Sequence, residues 1–80
     1  MLRRALVAGS DAVRAGTTDT AAVRSAMFAV LGAEPLADPD YVSVADPDTL
    51  EELATVSGRA LLSLAAVIEG VRLIDNERVP

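Results

Sequence analysis

The sequence predicts an α+β fold: two antiparallel helices packed on a small three-stranded antiparallel sheet. Three observations carry that expectation. Apolar residues recur at helical spacing through the first 31 positions, punctuated by glycines at 16 and 32. Two short apolar runs then flank Glu69-Gly70, the signature of a tight hairpin. Finally, the helical patterns precede the strand patterns instead of alternating with them, which separates α+β from parallel α/β folds. With 80 residues there is room for a single domain over 1–80.

Residues 2–15 form the first predicted helix. Leu2, Leu6 and Val13 fall on one side, while Ala5, Gly9 and Ala12 keep the profile narrow enough for a neighbouring helix to approach closely. Gly16 suits the left-handed conformation that ends a helix. Thr17, Thr18 and Asp19 supply caps for the second helix, over 19–31, where Val23, Met27, Val30 and Leu31 make a core-facing stripe. Gly32 is expected to stop that helix, with Pro35 just beyond. The short connection at Gly16 sets the helices antiparallel.

The stretch Glu34–Asp40, with two prolines and three acids, reads as a loop. Tyr41–Ala45 reads as a strand and Asp46-Pro47-Asp48 as a turn. Residues 49–57 fit either a short helical turn or a loop that carries Leu50 and Leu53 into the core. The apolar run 60–68 has no decisive periodicity, but the hairpin signal makes it a strand paired with 71–76. Burial against both faces would account for its unbroken apolarity. Residues 77–80 read as a frayed end.

Composition excludes several functions. The chain contains no His, Lys, Cys, Trp or Gln. It therefore has no thiolate nucleophile, no ordinary zinc site, no phosphate-loop lysine and no imidazole for proton transfer near neutral pH. All seven basic residues are Arg, outweighed by twelve acids for a net charge of −5. That balance disfavours nucleic acid and anionic membrane surfaces. No run is long enough for a membrane span. The lack of cysteine suits the cytoplasm. Fifty-one per cent hydrophobic residues exclude a disordered tail. Fifteen of the 80 are Ala, though, so the core is thin.

Several polar groups are candidate sites, each with a plainer structural reading beside it. Asp38, Asp40, Asp46 and Asp48 offer oxygen ligands for a divalent cation, but their spacing lacks the glycine and distant glutamate of a calcium loop, and Asp beside Pro is turn chemistry. Gly9, Gly16 and Gly32 make no phosphate-binding fingerprint. Ser57-Gly58-Arg59 offers an anion contact, with a surface ion pair as the simpler reading. Arg3-Arg4 reads as a solvated helix face. Arg72, Asp75 and Asn76 in the last strand are either site-lining groups or charges that protect a sheet edge, with Arg72 and Ile74 on one face and Leu73 and Asp75 on the other.

The segments DYVSVADPDTLEEL at 40–53 and GVRLIDN at 70–76 resemble the C-terminal end of the pantoate–β-alanine ligase (pantothenate synthetase) family, and the preceding helices follow it in order and spacing. One departure is local: Glu69, Gly70 and Val71 stand where the family usually has two glycines and a threonine. The resemblance implies a C-terminal lid domain of a longer enzyme, with Met1 marking the start of the excised piece. The full-length form would join pantoate and β-alanine with ATP and Mg through pantoyl adenylate, giving pantothenate, AMP and pyrophosphate. The partner implied is an N-terminal Rossmann-like catalytic domain. No catalytic, cofactor-binding or metal-binding residue carries over onto these 80 positions, and the fragment alone is expected to be inactive. A lid without its partner exposes a docking face, so self-association is expected as well. The alternative is a stand-alone ligand-binding or protein-interaction module without catalytic activity.

Overall fold

The computed structural model describes residues 2–79 and contains five elements. These are helices α1 (Leu2–Arg14) and α2 (Thr20–Gly32), and strands β1 (Ala37–Ala45), β2 (Ala60–Ile68) and β3 (Val71–Val79). The sheet is antiparallel in the order β1-β2-β3, with both helices on one face.

Local chemistry explains the helix ends. After α1, Gly16 adopts φ +98°. Its N–H donates to the Val13 carbonyl and that of Thr17 to the Ala12 carbonyl, both at 3.0 Å, the paired bonds of a Schellman cap. At the start of α2 the Asp19 carboxylate accepts the Ala21 N–H at 3.0 Å. The end of α2 departs from expectation. Gly32 is helical, and the helix closes on Ala33 in the right-handed conformation, its N–H bonded to Ala29. Pro35 forbids helical geometry at Glu34, so termination needs no left-handed glycine.

The core joins the helices to the covered sheet face: Leu6, Val23, Met27, Leu31, Val44, Leu62, Leu64 and Val79 are all buried. Gly9 sits where α1 crosses α2 and β2. A Cβ placed there would lie 2.6 Å from Met27 Cγ and 3.1 Å from Leu62 Cδ1. Thr20 is buried with its hydroxyl donating to the Leu53 and Ala54 carbonyls at 2.8 and 2.9 Å.

Two strand expectations change, and the open reading of 49–57 is decided. β1 begins at Ala37, not Tyr41, and runs through the Asp38-Pro39-Asp40 stretch read as a loop. It is an edge strand, and a bulge at Asp40 absorbs the extra residue, so Pro39 removes no central ladder bond. Of the end 77–80 read as frayed, Pro80 lies outside the described residues and 77–79 is paired, with Val79 opposite Ala60 and buried. Its apolar side chain caps the core, and the ladder carries Glu77 and Arg78 with it. Segment 49–57 is a loop with two isolated bridges and no helix. Leu53 packs against the core, but Leu50, at φ +65°, is 67% exposed.

β2 spans 60–68 as expected, yet it is not sandwiched. Ala60, Leu62, Leu64 and Ala66 meet the helices and are buried. The alternate residues Leu61, Ser63, Ala65 and Val67 belong to a face with no element over it. Ala65 is buried even so, because its register partners Tyr41 and Ile74 flank a side chain of one methyl.

Candidate functional site

One sheet face carries no element among the described residues and is the candidate surface. The register builds it in rows across β1, β2 and β3: Asp38–Val67–Arg72, Tyr41–Ala65–Ile74, Ser43–Ser63–Asn76 and Ala45–Leu61–Arg78. The Asp40 bulge determines this composition. It inverts the alternation of β1, so Tyr41 and Ser43 face outward while Ala37 turns back toward the core.

Arg72 clamps the face. Its Nε donates to Asp40 Oδ2 at 2.9 Å, and its guanidinium carbon lies 5.9 Å from the centroid of the Tyr41 ring. The side chain thus reaches from β3 across β2 to β1, holding a cation over an aromatic face. Tyr41 and Ile74 remain 37% and 56% exposed. The surface is therefore an apolar centre with a polar and cationic rim.

Arg72, Asp75 and Asn76, considered together from the sequence, are divided by the fold. Arg72 and Asn76 lie on the open face; Asp75 lies on the helix side. There Arg3 binds Asp75 at 3.2 Å and Glu77 at 3.0 Å. Arg3 is thus an ion-pairing residue across α1 and β3, not merely a solvated charge. Arg4 stays exposed, on a shallow groove with Val30, Ala33 and Glu34.

The aspartates are separated in the same way. Asp46 Oδ1 accepts the Asp48 and Thr49 N–H groups at 2.8 and 3.1 Å, which holds its carboxyl below the usual range. Asp48 pairs with Arg59 at 2.9 Å, which gives Ser57-Gly58-Arg59 a surface ion pair. Asp40 is held by Arg72. Among the described residues no three Asp or Glu side chains converge as metal ligands would.

Glu52, which sequence reasoning did not single out, is the most connected carboxylate. Oε1 accepts the Val44 N–H at 2.8 Å and Arg24 Nη1 at 2.9 Å, and Oε2 accepts the Ser43 hydroxyl at 2.6 Å. Partial burial pushes this carboxyl up, but the three donors together outweigh it and hold it below the ordinary glutamate range. Leu53 also donates its N–H to the Val44 carbonyl at 2.9 Å. Segment 52–53 therefore covers the end of the β1 edge. No local motif announces this, because Ser43, Glu52 and Arg24 meet only through the fold.

Comparison with known proteins gives one consistent answer. A family model described as pantoate-beta-alanine ligase matches residues 1–78. The pantothenate synthetase of Roseiflexus castenholzii is 57% identical over 76 residues, covering 95% of this chain and 27% of that protein. The pantothenate synthetase of Chloroflexus aurantiacus is 49% identical over 77 residues, with 95% and 27% covered. A crystal structure of pantothenate synthetase from Thermus thermophilus superposes with a TM-score of 0.89 at 31% identity, covering 99% of this chain and 29% of that one. The chain thus spans little more than a quarter of the length of the relatives it matches.

Proposed function

The chain belongs to the pantoate–β-alanine ligase family, and on that premise we propose that it is the C-terminal lid of such a ligase. The reaction of the whole enzyme would run in two steps. Pantoate attacks ATP to form pantoyl adenylate with loss of pyrophosphate, and the β-alanine amine then displaces AMP to give pantothenate. The single observation carrying this reading is the 57% identity over 76 residues that make up only 27% of the relative. A chain with no His, Lys or Cys supports it, since the reactive groups must then lie on the part not spanned here.

In this reading the chain positions and shields; it does not react. A sheet backed by two helices is a rigid plate, and its open face around Tyr41, Arg72 and Ile74 is the surface available to close over the nucleotide side and exclude water. ATP and Mg would be held by the Rossmann-like portion. The carboxylates here do not suit a hard cation: Asp40, Asp48 and Glu52 are tied to arginines and Asp46 to backbone N–H groups. No step passes through them. No helix among the described residues is long and apolar enough to cross a membrane, and the proposed site of action is the cytoplasm.

The test is a replacement. This chain is put in place of the matching 76-residue stretch of the Roseiflexus castenholzii enzyme, and pantothenate formation from pantoate, β-alanine and ATP is measured. The chimera is expected to make pantothenate, and the 80-residue chain alone to make none. A folded chimera without activity, or activity in the chain alone, overturns the reading.

A further inference from the structure

The sheet has two edges, and the fold treats them differently. β1 is defended: Pro39 lacks an N–H, the Asp40 bulge breaks the edge, and Leu53 and the Glu52 carboxylate occupy the Val44 backbone groups. β3 has none of these devices. It runs nine residues without proline or bulge. Among the described residues, no backbone group outside the sheet pairs with it. Among the described residues, one side-chain bond reaches its backbone: Asp75 Oδ1 accepts the Asn76 N–H at 2.8 Å. The undefended part is the apolar half, where Val71, Leu73 and Ile74 are 57%, 41% and 56% exposed. A long, regular, apolar edge is a template for another strand.

We propose that the Val71–Asp75 edge of β3 pairs antiparallel with the same edge of a second copy of this chain. Charge selects both the partner and the register. The chain carries a net charge of −5, but β3 holds Arg72 and Arg78 against Asp75 and Glu77, so its edge is electrically neutral where the two copies meet. In a two-fold antiparallel pair, opposed residues share a face, so the axis passes through a residue. Centring on Asp75 would set Asp75 against Asp75 and Arg72 against Arg78. Centring on Leu73 sets Leu73 against itself, Arg72 against Ile74 and Val71 against Asp75. That arrangement packs Leu73 on its own copy and the Arg72 stem beside Ile74, opposes no like charges within 71–75 and leaves the Asp75–Asn76 bond intact. The product is a six-stranded sheet with both helix layers on one side and one continuous open face. Five residues per edge bury well under the ~800 Å² per partner of a standard interface, so the association is weak and concentration-dependent. The pairing shares Arg72 and Ile74 with the open face, but it is read by mass and hydrogen exchange and not by pantothenate formation, so it stands or fails apart from the lid reading.

Sedimentation equilibrium from micromolar to millimolar concentration tests it, together with hydrogen exchange at both extremes. The expected result is a mass rising from 8.3 kDa toward twice that value, with concentration-dependent protection confined to the edge amides of Arg72 and Ile74, since those of Val71, Leu73 and Asp75 already face β2. Ile74→Lys, which places Lys opposite Arg72, should hold the mass at the monomer value with unchanged far-UV circular dichroism. Phe28→Lys, on the exposed side of α2, should leave association unchanged. A monomer at every concentration overturns the proposal. So does protection of β1 or α2 instead of β3, and so does dissociation by Phe28→Lys but not by Ile74→Lys. The exchange measurement on the unaltered chain decides the question even if a variant misfolds.

Discussion

At the scale of single residues, Gly9 shows how much one absent methyl decides. Mid-helix glycine costs about 1 kcal/mol relative to alanine, so Gly9→Ala would stabilise an isolated α1. In the folded chain the added carbon would lie 2.6 Å from Met27 Cγ and 2.8 Å from its sulfur. Overpacking of this kind costs roughly 1–3 kcal/mol. Sterics win, and Gly9→Ala is expected to lower the thermal midpoint; a rise would show that Met27 repacks freely. The sequence anticipated the close approach from the small residues of α1. It did not anticipate the partner atoms, which come from α2 and β2. Arg72 teaches the same lesson for the candidate site. Its outward placement follows from strand alternation, but its hold on Asp40 and Tyr41 depends on a bulge, and no local pattern marked one there.

At the scale of elements, the β2–β3 hairpin was the most legible feature. Glu69 and Gly70 both take positive φ, +52° and +82°, as a two-residue turn matching strand twist demands. Glycine adopts this freely. Glutamate pays for it, at about 1 kcal/mol for a side chain in the left-handed region. Glu69→Asn keeps a polar turn residue that tolerates this conformation, and is expected to raise stability by roughly 0.5–1 kcal/mol, about 4 °C in a domain this small. An unchanged or lower midpoint in a calorimetric scan would contradict that. β1 was the least legible element. Two prolines within five residues are ordinarily loop chemistry, and only its position at an edge makes 37–40 extendable as a strand. The end of β3 was missed for a related reason: Glu77 and Arg78 look like a solvated terminus until pairing with Leu62 and Leu61 holds them in the ladder.

At the scale of the whole molecule, two carboxylates held by the fold make stability depend on pH in a predictable sense. Asp46 and Glu52 both titrate below their ordinary values of 3.8 and 4.5. A carboxylate depressed by folding contributes stability that is complete above its unfolded value and is lost as pH falls through its folded one. Stability is therefore expected to be flat above about pH 5.5 and to decline below about 4.5. Glu52→Gln should lower the midpoint at neutral pH and flatten the acid decline, read from thermal melts across that range. A variant that melts like the parent at both ends would show that the Ser43, Val44 and Arg24 contacts contribute nothing.

The amino-acid order by itself determined the class of fold, both helices, the central strand, the hairpin and the family, because each rests on local signals: apolar periodicity, caps, a turn pair and two contiguous motifs. Its missing His and Lys, set beside those motifs, also marked which portion of a ligase the chain resembles. The tertiary structure decided what the chain presents to others. It left one sheet face bare, separated Asp75 from Arg72 and Asn76, joined Glu52 to Ser43 and Arg24, and covered one sheet edge but not the other. Those outcomes depend on register and on the order of strands in space. Both are set by which distant surfaces bury together, and a change of one residue in register turns every side chain of a strand to the opposite face.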